Sequence, residues 1–326
     1  MEPLTDFENL KFSLYPIKYH NIWEHYKKQL SAFWKAEEID FSQDRKNFET
    51  LNENEQYVIK MILAFFANTD GIVNFNISKR MMDLITINEV RYTYQYQMAM
   101  ENIHSEVYSL MIDNLISNPS ERTKLLNSIK TIPTIKEISI WAFRWIDSPV
   151  SIGHRIIAFG CIEGILFSGA FATIYWFKKR FNAGPSFLNG LIKSNEFISR
   201  DECLHCEFAF EIYKLVVNRL SEEEAHKIII ESVLVSQQFN DEAIKTKLVG
   251  LNNVLMNQYI EYIADRLCVS FGYNKIYKTT NPFTFMDTIG MVQKTNFHES
   301  RPTEYQSAHN SFDTNTKLKF LNEDEF

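Results

Sequence analysis

An all-α fold, a bundle of long helices, is what this sequence predicts, and three features predict it. The 326 residues hold only 10 Gly and 8 Pro, too few turn-formers for a sheet-rich chain of this length. Apolar residues recur at helical spacing over stretches much longer than a strand, with residues 52–80 the clearest case. Glu101 and His104, and again Glu202 and His205, stand three residues apart, which puts each pair on one face of a helix.

The elements follow in order. Residues 1–20 form an extended lead-in. A first helix covers 20–35 and ends near the acidic stretch AEEIDFSQD; the second spans 52–80. The third, 88–117, stops at Asn118-Pro119, because proline cannot continue a helix. A short helix fits 121–130, and Pro133 separates it from 134–146. Ser148-Pro149 leads into a long helix over 150–181, closed by Asn182-Ala183-Gly184-Pro185. The next covers 187–218. Ser221, followed by Glu222, Glu223 and Glu224, has the form of an N-cap with an acidic first turn and opens a helix to 245. The last, 252–271, stops at Gly272. These helices make one domain over 21–294. From 295 the chain turns polar and loses its apolar stripe, and 295–326 is expected to be a flexible tail.

Composition narrows the function. A net charge of −7 argues against nucleic acid or an anionic membrane as the main partner. Met1 is followed by acidic, polar sequence rather than a basic and then apolar leader. No charge-free apolar run of about 18 residues suggests a membrane span. Four cysteines, Cys161, Cys203, Cys206 and Cys268, fit a reducing, cytoplasmic setting without structural disulfides. Cys203 and Cys206 form a CxxC, but no second pair completes a zinc site.

The two Glu-x-x-His pairs carry the chemistry. Facing each other across a bundle, with one more carboxylate from each of two further helices, they would make the dinuclear carboxylate site of ferritin-like proteins. Asp70, in AFFANTDGIV, and Glu163, in AFGCIEGILFSG, are lone carboxylates in apolar helical runs. An unpaired buried carboxylate is costly, so each needs a partner. A single Glu-x-x-His is weak, and a lone Glu or His on a helix is ordinarily solvated or hydrogen-bonded. The six residues together are a far more specific signal. Tyr108 lies seven residues beyond Glu101, about 700° round the helix, or roughly −20°, and shares the ligand face. A phenol there can be oxidised to a radical; it can equally be a core tyrosine. Phe167 and Phe171, at i+4 and i+8 from Glu163, and Ile198, four before Glu202, would wall such a radical off, though the pattern also suits ordinary core.

The stretches MENIHSEVYSL, SRDECLHCEF, AFFANTDGIVN, FWKAEEID, CIEGILFSGAFA and NPFTFMD resemble the small, radical-generating subunit of class I ribonucleotide reductase in its eukaryotic and viral form. The resemblance runs from about Tyr15 to Phe326. It implies one metal held by Asp70, Glu101 and His104 and another by Glu163, Glu202 and His205, with Glu101 and Glu202 able to bridge. The ions would be two irons, oxo-bridged when oxidised, with manganese as the other candidate. Tyr108 matches the radical-bearing tyrosine. Trp34 and Asp201 match the relay linking His104 to the surface, and Tyr305 the tail tyrosine that passes the radical on. The acidic, Phe-ended terminus, Phe320 to Phe326, resembles the peptide that docks on the large catalytic subunit; the small subunit itself is a homodimer. The segment between Trp176 and Glu202 looks a few residues longer than usual, and Asn310–Lys319 departs from the common pattern.

Other classes share parts of this pattern. A di-iron oxidase or desaturase with its own organic substrate would use the same bundle and ligands, but would not need Trp34, Asp201, Tyr305 and the tail together. An iron-storage protein would be much shorter. A relative that has lost its metals would not keep all six ligands.

Overall fold

The computed structural model describes residues 2–181, 187–245 and 248–286. All of them but Met286 fall in one unit, Met1–Phe285; the second unit, Met286–Phe326, lies otherwise outside the described residues. The expected tail, with Tyr305, Phe320 and Phe326, lies there too. Among the described residues the structure is helical, and its one β-type pairing is the isolated bridge between Leu248 and Leu251.

After a cis Tyr15-Pro16 peptide the backbone enters α1 (His20–Ser31), then a 3₁₀ turn at Ala36–Glu38 and α2 (Asp44–Glu49). Helix α3 (Glu53–Asn76) opens on a capping box in which Asn52 and Glu55 satisfy each other's backbone N–H groups. It runs through a π-helical turn, Ile77–Met81, into α4 (Met82–Leu84). Helix α5 (Asn88–Leu115) is followed by α6 (Pro119–Leu126), α7 (Ser128–Thr131) and α8 (Pro133–Asp147); α6 and α8 carry proline in the first turn, where no intrahelical N–H is lost. Helix α9 (Ile152–Cys161) continues through a second π turn, Ile162–Leu166, into α10 (Phe167–Arg180). Then come α11 (Asn189–Tyr213), α12 (Glu222–Ala243) and α13 (Asn253–Phe271). Ser221 and Glu224 form the capping box of α12, and Gly272, at φ 92°, ends α13 in the left-handed region that glycine enters without strain.

The long helices α3, α5, α9–α10 and α11 surround the deepest core and pack on one another, with α12 and α13 laid against the α9–α10 side and α1 against α5 and α11. That core is aromatic. Phe65, Phe66, Phe167, Phe177 and Phe208 are fully buried, each contributing about 1.5–3 kcal/mol by leaving water. Two helical runs, Glu53–Leu84 and Ile152–Arg180, are long and apolar enough to cross a membrane by length and composition. Their windows are 67% and 89% buried inside the bundle, so core packing accounts for their apolarity.

The structure differs from the sequence expectation in detail. Residues 150–181 are not one regular helix. The π turn at Ile162–Leu166 widens the backbone where Glu163 sits, a distortion that often re-aims a functional side chain. The neighbours approach too closely there for a Cβ. One added at Gly164 would come within 2.7 Å of Leu267 and 2.8 Å of the Cys206 Sγ. Helix α10 continues to Arg180 and α11 begins at Asn189, close to the expected bounds. Helix α2 has no counterpart in the sequence expectation, because six residues are too few to show a period.

Candidate metal centre

Each of the four long helices brings one or two ligand candidates to the same place. Helix α3 carries Asp70, α5 carries Glu101 and His104, the π turn carries Glu163, and α11 carries Glu202 and His205. All six are 0–3% exposed. Helix α11 is anchored at its start by the Asp44 carboxylate, which accepts from the backbone N–H of Gly190 at 3.0 Å and Leu191 at 2.7 Å; these are N–H groups a helix terminus leaves open.

Ligand atoms of Glu101, Glu163, Glu202 and His205 lie within 4.8 Å of one another, and so do those of Asp70, Glu101 and His104. Glu101 belongs to both groups. Glu202 also reaches the second: its Oε1 lies 3.1 Å from His104 Nδ1. His205 Nδ1 stands 3.1 Å from both Glu101 Oε1 and Glu202 Oε2. Both oxygens of Asp70 and Glu163 Oε2 are buried and have no hydrogen-bond partner, and Glu101 Oε2 and Glu202 Oε1 are buried against His104 Nδ1, at 3.3 and 3.1 Å. Four carboxylates this close in a dry core repel one another and lose hydration. Two cations placed among them answer both costs. An oxygen-rich donor set with one imidazole for each ion suits hard redox metals such as iron or manganese rather than a thiolate-bound metal.

Without cations, protons must do the same work. Burial raises the Asp70 carboxyl well above the usual range, and Glu101 and Glu202 raise it further. Burial and then Glu202 do the same to Glu163. Glu202 moves the other way: burial opposes its charge, but Glu163, His205 and His104 together hold it low. At His205, burial opposes protonation, and the Glu202 and Glu101 carboxylates overcome it to raise the pKa to about 9. His104 is raised likewise, against its burial, by Asp201, Glu101 and Glu202.

On the side of His104 away from the ligands, Asp201 Oδ2 accepts from two donors, His104 Nε2 at 3.1 Å and Trp34 Nε1 at 2.6 Å. The carboxylate thereby places the Nε2 proton and leaves Nδ1 free toward Glu101 and Glu202. The rings of Trp34 and His104 stack with centroids 5.9 Å apart at 21°. Arg200 holds the other oxygen of Asp201 at 3.0 Å and donates to the Ala32 carbonyl at 2.6 Å, tying α11 to the segment that carries Trp34.

Tyr108, on α5, is buried, and its hydroxyl has no hydrogen-bond partner. Burial pushes its pKa up, and Asp70 is the leading charge acting on it. Phe66 stacks on it with centroids 4.7 Å apart at 9°. Phe167 and Phe171 pack on Phe66, at 5.8 and 5.0 Å, and Ile198 is buried on α11.

Three neighbours escape a reading of the sequence. Phe66 lies one helical turn before Asp70, but in a run of apolar residues nothing singles it out. Arg200 sits next to Asp201 and looks like any surface arginine. Gln97, fully buried, is one turn before Glu101 on the ligand face; a polar residue at that spacing is a usable signal. Its Nε2 donates to Glu163 Oε1 at 2.9 Å and reaches Glu101 Oε1 at 3.4 Å. None of the four cysteines is in a disulfide. Burial raises the Cys206 thiol, and no cysteine joins a metal cluster among the described residues.

Comparison with known proteins agrees with this geometry. Residues 11–282 match the family described as ribonucleotide reductase, small chain. The human ribonucleoside-diphosphate reductase subunit M2 is 48% identical over 306 residues, 94% of this chain and 77% of that protein. The ribonucleoside-diphosphate reductase small chain of Spisula solidissima is 48% identical over 307 residues, 94% of this chain and 79% of that one. Among solved structures, the ribonucleotide reductase Rnr4 homodimer from Saccharomyces cerevisiae superposes with a TM-score of 0.74 at 29% identity, covering 87% of this chain and 90% of that chain. On its motifs, its fold and these relatives, the chain belongs to the ribonucleotide reductase small-chain family.

Proposed function

We propose that this chain is the radical-generating small subunit of a ribonucleoside-diphosphate reductase, an oxidoreductase that makes deoxyribonucleotides together with a large catalytic subunit. The observation that carries this reading is the continuous buried arrangement from the carboxylate cluster through His104 and Asp201 to Trp34, with Tyr108 buried on the helix that carries Glu101 and His104. A di-iron oxidase with its own substrate would need a cavity at the metals and would have no use for a relay leading away from them.

Asp70, Glu101 and His104 would hold one ion and Glu163, Glu202 and His205 the other, with Glu101 and Glu202 between them. Iron is proposed first, manganese second, since both accept this donor set. The metal pair supplies the oxidising power drawn from dioxygen. The chain's own residues do the rest. Tyr108 would give up an electron to the oxidised metal pair and its phenolic proton to a basic oxygen at that pair, and so store the oxidising equivalent. Phe66, Phe167, Phe171 and Ile198 exclude water and leave the radical nothing soft to react with. Asp201 keeps the proton of His104 on Nε2 and that of Trp34 on Nε1, so both rings share one acceptor. Transfer outward runs through His104, Asp201 and Trp34, then Tyr305, to the large subunit. The chain is proposed to act as a homodimer, and the acidic terminus with Phe320 and Phe326 to anchor on the large subunit, where phenylalanines fill pockets and the acids orient docking.

The test is reconstitution with iron(II) and oxygen, followed by ribonucleoside diphosphate reduction with a family large subunit. Two metals per chain, a tyrosyl radical and turnover dependent on both subunits are expected. Turnover of an organic substrate by this chain alone would favour the oxidase reading.

A further inference from the structure

Gln97 has no part in the scheme above, yet it touches two of the proposed ligands. It stands four residues before Glu101 on α5, so the two share a face. Its amide spans from Glu101 Oε1, at 3.4 Å, across to Glu163 Oε1, at 2.9 Å. It is wholly buried, and its own Oε1 has no partner. Leaving an amide oxygen unsatisfied in a core is costly, about 1–3 kcal/mol, so packing alone would favour an apolar residue of the same size.

Glu163 needs such a contact. It sits on a π turn rather than in a regular helix, and its backbone carries it without a second ligand on the same face. Its two oxygens have different surroundings. Oε1 receives the Gln97 amide; Oε2 has no hydrogen bond and faces His205 Nδ1 at 4.0 Å. A carboxylate held by one oxygen offers the other to a cation. Left free, it could chelate with both oxygens or swing toward the neighbouring ion. The amide is also suited by charge. A neutral donor stabilises an anionic carboxylate without competing with a cation, as lysine or arginine would, and without adding a ligand, as a further carboxylate would.

We propose that Gln97 is a positioning residue that fixes Glu163 through Oε1, so that the ion held by Glu163, Glu202 and His205 is bound by Glu163 Oε2 alone. The inference rests on the metal assignment proposed above. Loss of such an outer contact ordinarily weakens metal affinity about 10–100-fold, and here the loss falls on one ion of the pair.

Anaerobic titration of the full chain with cobalt(II) alone, followed by its visible d–d absorption, tests this independently of turnover. Gln97→Met keeps the volume and removes the donor. Gln97→Asn keeps the amide but draws it one methylene back from Glu163, and serves if the Met variant fails to fold. In either, one cobalt(II) is expected to bind at least tenfold more weakly with an altered d–d band, while the other keeps its affinity and spectrum. Circular dichroism and thermal unfolding of the metal-free variants separate this from a merely structural role, which would move stability without singling out one ion. Unchanged binding of both ions, or equal weakening of both, would overturn the inference alone. Fewer than two cobalt(II) ions on the unsubstituted chain would overturn the metal assignment and this inference with it.

Discussion

Asp201 is where the structure makes its sharpest energetic statement. One buried carboxylate oxygen accepts from Trp34 at 2.6 Å and from His104 at 3.1 Å. Asp201→Ala removes the acceptor and leaves two N–H groups in surroundings without water. Each stranded donor costs about 1–3 kcal/mol, hence about 2–6 kcal/mol for the two. Arg200, part-exposed, can turn its guanidinium to solvent and adds little. At about 2–4 °C per kcal/mol for a large domain, the unfolding midpoint should fall on the order of 10 °C, readable by calorimetry on the metal-free protein. Asp201→Asn separates function from stability. Its amide oxygen can still accept one hydrogen bond, so the variant should fold and, at saturating iron, keep its metals and a Tyr108 radical. Without the shared anionic acceptor, radical transfer should fail, and turnover with the large subunit should drop at least 100-fold. Full turnover of Asp201→Asn, or an unshifted midpoint for Asp201→Ala, would refute the role drawn for this residue.

Glu202→Ala removes a carboxylate that touches both histidines; at least one metal per chain should be lost in elemental analysis while the helical circular dichroism survives. Metal binding should release protons, because in the metal-free protein burial and neighbouring carboxylates raise the Asp70 and Glu163 carboxyls, and the His205 pKa is raised to about 9. The sign follows: affinity should climb as pH rises from about 6.5 toward 9, and calorimetric enthalpies should vary with the buffer's ionisation heat. Deleting residues 320–326 should leave metal content and radical yield intact and abolish nucleotide reduction, with a KFLNEDEF peptide competing against the intact protein in the same assay.

Much of this is legible in the sequence, for identifiable reasons. Glu101 and His104, Glu202 and His205 declare themselves because an i, i+3 pair is local and needs no tertiary knowledge. Asp70 and Glu163 stand out because charge within apolar helix demands a partner. Tyr108 follows by counting turns. Trp34 and Asp201 are a different case: they are 167 residues apart, and only a family resemblance pairs them before the fold does. The π turn at Glu163 is hidden, since nothing in the spacing of residues 150–181 marks it. Gln97 and Arg200 escape because their meaning depends on Glu163 and on the Ala32 carbonyl, partners that sequence spacing does not reveal. Helix ends are readable to within a few residues where a cap marks them, as at Ser221 and Gly272, and less well at Tyr213, where α11 ends without one.

The central claim is that the carboxylate cluster exists to place a radical on Tyr108. Low-temperature EPR after aerobic iron loading, run side by side on the unsubstituted protein and Tyr108→Phe, tests it most directly. The substitution keeps the ring against Phe66 and removes only the hydroxyl, so packing and metal content should persist. A tyrosyl signal in the first and none in the second, at equal iron content, is the predicted result. The same signal in both would place the radical on another tyrosine, and no signal in either, with two irons bound, would contradict the claim.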